Sequence, residues 1–148
     1  MCSFCDDLGK HNPIQFTSYV KEALDTLYNA NLPRTLINIV LVLDVRSVRE
    51  LNAGGFVCEM LHTAVCNCAA FPTGDDEVIL NQWVTDYQGN VTQLIKSGIY
   101  DQRDDFTVVV QPFFSHTELP RSGNNVDFSY FAPDCFHFSG QSIVDFNH

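Results

Sequence analysis

Asp134 and His137 stand three residues apart in the stretch Phe131-Ala132-Pro133-Asp134-Cys135-Phe136-His137-Phe138. At that separation a carboxylate can accept the Nδ1 hydrogen of the imidazole. Such a bond fixes the tautomer, leaves Nε2 as a base, and stabilises the imidazolium formed when Nε2 takes a proton from a nucleophile. The pair has the form of half a hydrolytic triad. The same spacing also suits a capping aspartate beside a surface histidine, and as a bare pattern that blander reading is the commoner one.

The other groups capable of chemistry point less clearly. His116 follows a predicted strand and is a second candidate to line a site, whereas His11 and His148 lie near the termini. His62, Cys66 and Cys68, with Cys2 and Cys5, are ligand types that hold zinc. They lack the repeated Cys-x2-Cys of a zinc ribbon, and disulfides are the favoured reading of the six cysteines, with spacing choosing no pairing. Cys135 is too close in sequence to His137 to aim its thiol at the same reacting atom, so a structural role is expected. The 148 residues contain no Gly-x-Ser-x-Gly elbow, phosphate-binding Gly loop or Gly-Asp-Ser stretch.

Positioning these groups falls to a small set of elements. After Asn12-Pro13, Phe16, Tyr19, Val20, Ala23, Leu24, Leu27 and Tyr28 repeat at three and four residues, predicting a helix that ends near Asn29 to Asn31. The run Leu36 to Leu43 is nearly all apolar and β-branched, as in a parallel strand covered on both faces. Val45 to Cys68, with Gly54-Gly55 and three cysteines, reads as an irregular excursion held by cross-links. A second helix is expected from Thr73 through Ser97, with Trp83 near its seam and Gly98 as its stop. A second strand, Phe106 to Val110, runs into Gln111-Pro112 and a loop over His116 to Tyr130, and Ser139 can cap a last helix. Helix, strand, helix, strand and a helix start make an α/β arrangement with a parallel sheet, in which functional groups belong beyond the strand C-termini.

Composition narrows the partners. Eighteen acidic against eight basic residues give a formal charge of −10, which repels nucleic acid and anionic lipid surfaces. Nucleic acid is therefore not expected as a partner, whereas a pocket that buries an acyl chain remains compatible. No run of residues is long and apolar enough to span a bilayer, and the first residues do not read as a signal peptide. An even set of cysteines nonetheless fits an oxidising compartment, and Asn90-Val91-Thr92 is a glycosylation acceptor motif. Both features agree if an upstream segment precedes this chain.

Tyr100 to Phe114 and Phe131 to Ser139 resemble the C-terminal blocks of animal membrane-associated phospholipase B. The likeness extends to Lys21-Glu22-Ala23-Leu24-Asp25, Leu32 to Asn38 and Cys66-Asn67-Cys68, and so covers nearly the whole chain. That family belongs to the GDSL, or SGNH, hydrolases. The resemblance implies a flavodoxin-like three-layer α/β sandwich of which residues 1–148 are the C-terminal part of a single domain, the N-terminal strands being absent and an apolar sheet edge exposed.

The resemblance further implies calcium-independent, cofactor-free hydrolysis of phospholipid or lysophospholipid esters by a serine nucleophile, with His137 as base and Asp134 as its orienter. It places the protein outside the cell, secreted or at the plasma membrane, meeting the membrane through its substrate or through parts of the parent protein absent here. The family's serine, glycine and asparagine blocks all lie N-terminal to the matched part. The 148 residues alone are therefore expected to be inactive, and truncation at both ends accounts for this more simply than loss of function. A non-catalytic lipid-binding or interaction domain, and a small zinc-binding module, are the alternatives.

Overall fold

A computed structural model describes residues 2–115 and 117–140. The first helix begins where local chemistry places it. Asn12 accepts the Gln15 N–H on its side-chain oxygen at 2.8 Å, Pro13 occupies the first helical position, and α1 runs Pro13–Asn29. Its inward face is Phe16, Val20, Leu24 and Tyr28, four residues apart, while Tyr19 and Leu27 of the predicted stripe are exposed. Asn31 and Arg34, with φ of 51° and 49°, turn the chain into the first strand.

Strand β1 (Thr35–Val40) pairs in parallel with β2 (Phe106–Gln111), from Thr35 opposite Phe106 to Val40 opposite Gln111. Pairing stops there because Pro112 has no N–H to continue the ladder. The expectation that β1 is covered on both faces needs correction. Burial alternates along it: Ile37 and Ile39 pack into a core of Leu24, Ile95, Tyr100, Phe106 and Val108, whereas Leu36 and Val40 remain 60% and 44% exposed. Residues of α1 and of helix α4 (Asp76–Lys96) meet the same face of the sheet, and among the described residues the other face of β1 stays open.

Helix α4 starts three residues later than expected. Thr73 donates its N–H and its hydroxyl to Asp76 Oδ2, at 2.9 and 3.0 Å, so it braces the first turn instead of capping as acceptor. Gly98, at φ 73°, ends the helix as its position suggested, because a left-handed residue there is inexpensive only for glycine. Trp83 packs edge-on against Phe4 and Tyr87, and Asn90 lies half-buried within the helix.

Arg103 closes this part of the molecule. Its guanidinium donates to the carbonyls of Tyr28 and Leu32 at 3.2 and 3.1 Å, pairs with Asp105, and lies 5.6 Å from the ring centres of both Tyr28 and Phe106. Near it, the Tyr100 hydroxyl donates to Asp25 at 2.8 Å; burial and this bond push the Tyr100 phenol far above its ordinary range.

Two compact units share the chain. The elements above fall mostly in one, residues 4–44 and 81–117; the other takes the described residues of 1–3, 45–80 and 118–148. In this second unit the segment expected to be irregular is largely helical. A 3-10 helix spans Arg46–Gly54, α2 spans Phe56–Val65, and α3 spans Asn67–Ala70. Cross-links do hold it: Cys2 is bonded to Cys66 and Cys58 to Cys135. Val45, Val48, Leu51, Cys58, His62 and Phe131 are buried here.

The expected loop contains a short hairpin, β3 (Arg121–Ser122) with β4 (Asn125–Val126), tied to the 3-10 helix by an Arg121–Glu50 ion pair at 2.6 Å. Its turn carries Gly123 at φ 63°. The helix expected after Ser139 falls on residues 141–148, outside the described residues, as do His116 and His148. The described chain is thus mixed α/β with one parallel strand pair. No helix among the described residues is long and apolar enough to cross a membrane.

Candidate active site

Phe131 and Phe138 form an antiparallel bridge that closes a tight turn around Asp134 and His137. Within it Ala132 N–H donates to the His137 carbonyl at 2.7 Å, and Cys135 N–H donates to the Ala132 carbonyl at 2.9 Å. Ser139 fastens the outgoing strand, its N–H to the Tyr130 carbonyl and its hydroxyl to that of Ser129. Cys135 itself takes a left-handed φ of 58°, a conformation that costs a non-glycine residue free energy and persists only where neighbours enforce it.

The turn brings the two predicted residues together. Asp134 Oδ1 accepts the N–H of Phe136 at 3.1 Å and of His137 at 3.0 Å, while Oδ2 lies 2.6 Å from His137 Nδ1. One carboxylate oxygen is spent on holding the backbone and the other on holding the ring. The hydrogen bond from His137 is the first cause of an Asp134 carboxyl held below its usual range; burial opposes it, and the backbone N–H groups of Phe136 and His137 add to the lowering. With Nδ1 engaged, the Nε2 edge of a side chain 76% exposed is free to exchange a proton with a substrate group.

Three residues that sequence reasoning did not connect with this pair hold the turn from behind. Cys58, on α2, is bonded to Cys135. His62, one turn further along α2 and fully buried, sits with Nδ1 2.6 Å from Asn52 Oδ1 and Nε2 3.2 Å from the Cys135 carbonyl oxygen. Asn52 comes from the 3-10 helix and donates to the Ala70 carbonyl at 3.1 Å. His62 lies 10 residues from Asn52 and 73 from Cys135, which leaves no local pattern to find.

The zinc alternative loses its ligands, because all six cysteines are oxidised and none offers a thiolate. His62, a possible ligand in the zinc reading, has both ring nitrogens turned to protein oxygens, Asn52 Oδ1 and the Cys135 carbonyl. A cleft at the starts of β1 and β2, lined by Arg34, Asp101, Arg103, Asp104 and Asp105, contains no histidine, and its Arg103 and Asp105 are engaged with each other.

An exposed imidazole oriented by a carboxylate can act as a base toward a hydroxyl nucleophile placed at its Nε2 edge. The chain is 41% identical over 147 residues to the human protein named phospholipase B1, membrane-associated, 41% over 145 residues to that of Rattus norvegicus, and 38% over 148 residues to that of Mus musculus. These matches take in 94–96% of this chain and 10% of each relative. The chain therefore spans about a tenth of the length of the curated relatives it matches, and its resemblance to membrane-associated phospholipase B runs almost end to end. No family model and no solved structure matches it.

Proposed function

We propose that these residues carry the general base and its orienting carboxylate in an SGNH-type ester hydrolase of phospholipids or lysophospholipids. The observation that carries this is the 2.6 Å contact between His137 Nδ1 and Asp134 Oδ2, in a chain aligned over 96% of its length with a protein named phospholipase B1. In the proposed reaction His137 Nε2 removes the proton of a serine hydroxyl as that oxygen attacks the ester carbonyl. The resulting imidazolium, steadied by Asp134, returns the proton to the departing alcohol oxygen. Water then repeats the cycle on the acyl-enzyme. No cofactor takes part.

The serine and the oxyanion-stabilising donors come from outside the 148 residues, which contain neither a Gly-Asp-Ser nor a Gly-x-Asn-Asp block. Without them the tetrahedral oxyanion loses stabilisation worth about 3–4 kcal/mol for each missing donor, so the 148 residues alone do not turn over ester. The three-layer SGNH sandwich, of which these residues form a C-terminal part, supplies the missing groups. Complete oxidation of the cysteines fits an extracellular or membrane-facing location. Exposed Phe56, Val57 and Met60 on α2 offer apolar surface of the kind an acyl chain meets.

A non-catalytic lipid-binding domain is the second reading, favoured by the missing nucleophile block. An alkyl fluorophosphonate separates the two when applied to the longer polypeptide that contains this chain. Covalent labelling of one serine, lost in His137→Ala, supports the hydrolase; stoichiometric phospholipid binding without labelling supports the binding domain.

A further inference from the structure

Buried His62 has no place in the reaction above, yet its surroundings are specific. Its ring makes one contact to a side chain and one to the backbone of the Asp134–His137 turn. The Asn52 amide is oriented by its own bond to the Ala70 carbonyl, so its oxygen is the end that faces Nδ1. A neutral imidazole donates one of the two bonds at a time and the imidazolium donates both.

We propose that His62 is the positioning residue of this site, acting through the Cys135 carbonyl to set the plane of the Cys135–Phe136 peptide and thereby the carboxylate of Asp134. The inference rests on the hydrolase reading. Its basis is the planarity of the peptide unit, whose C=O and N–H point to opposite edges. The oxygen of this peptide meets His62 Nε2 at 3.2 Å, and its N–H, on Phe136, donates to Asp134 Oδ1 at 3.1 Å. Rotating the peptide breaks both bonds together. The Cys58–Cys135 disulfide holds the Cys135 side chain but leaves rotation of the following peptide free. His62 supplies that missing restraint, at a residue whose left-handed φ of 58° needs enforcement.

The two ring nitrogens can be mimicked separately. In His62→Gln an amide nitrogen replaces Nε2 and still reaches the Cys135 carbonyl, while the bond to Asn52 is lost. In His62→Asn the amide nitrogen replaces Nδ1 and keeps Asn52, while the carbonyl loses its donor. Each variant leaves one of the two oxygens that face His62 without a donor, so a merely structural role lowers melting temperature and activity alike in the two.

Positioning predicts a split. In the longer protein, assayed on a soluble short-chain ester, His62→Asn lowers kcat about 10²-fold with KM within a few-fold, the scale of a misplaced reacting group. His62→Gln retains kcat within a few-fold at a comparable melting temperature. Asn52→Ala, which breaks the same contact as His62→Gln while sparing the histidine and its Cys135 contact, serves where the His62 variants fail to fold, and retains kcat within a few-fold at a lowered melting temperature. Equal kcat in His62→Gln and His62→Asn, or an Asn52→Ala kcat lowered about 10²-fold like that of His62→Asn, overturns positioning while leaving the hydrolase intact. A wild-type protein without esterase activity overturns both.

Discussion

The disulfide from Cys58 to Cys135 joins the inward side of α2 to the residue directly after Asp134, across 77 positions of sequence. A turn that exposes His137 to solvent is thereby fixed to a buried helix face. Replacing both cysteines by alanine enlarges the unfolded ensemble, with an expected loss of about 2–5 kcal/mol in denaturant unfolding. Hydrolysis by the longer protein should fall as well, and an unchanged unfolding midpoint would count against the brace.

Gly54 is required by space. A Cβ there would sit 2.4 Å from Cys58 Sγ and 2.8 Å from the Phe128 ring, and a disulfide-bonded sulfur has little room to retreat. Gly54→Ala is expected to cost about 1–3 kcal/mol. Gly89→Ala, with nothing within 4 Å of the added atom, is the control and should unfold like the wild type or later.

Asp134 sets an acid limit. Its folded carboxyl is held below the ordinary aspartate value, chiefly by His137, so its contribution is complete above the unfolded pKa of about 3.9 and disappears as pH falls through the folded value. Asp134→Asn should therefore be less stable than wild type at neutral pH, and the two should converge in strong acid. Parallel unfolding curves across the whole pH range would contradict the assignment.

Arg103 makes a separate test in the unit that holds the parallel strand pair. Arg103→Lys keeps the charge but lacks the planar fork that reaches two carbonyls while stacking between Tyr28 and Phe106. A loss of about 1–3 kcal/mol is expected by chemical denaturation, with no change in KM for ester.

What was legible in the sequence was local. Asn12-Pro13 announced α1 and Gly98 the end of α4, because capping involves residues within one turn of the boundary. Pro112 likewise marked where β2 stops pairing. The apolar run in β1 hid an alternation, since composition cannot show which face of a strand neighbours will cover. Val45 to Cys68 read as an irregular excursion held by cross-links; the cross-links are there, but its helices escaped a local reading, and its buried His62 faces Cys135, 73 residues away. In the site, the spacing of Asp134 and His137 permitted their contact without choosing it over a capping aspartate beside a surface histidine, whereas Asn52, Cys58 and His62 behind the turn were invisible until folded.

The central claim is that His137 is the proton-transferring base of an ester hydrolase. Its most direct test is kcat/KM of the longer protein on a lysophospholipid, wild type against His137→Ala, with unfolding midpoints compared. The side chain is 76% exposed, so folding should survive the change while kcat/KM falls about 10⁴-fold or more, as for loss of a triad histidine. Hydrolysis within a few-fold of wild type in the folded variant would remove His137 from the mechanism.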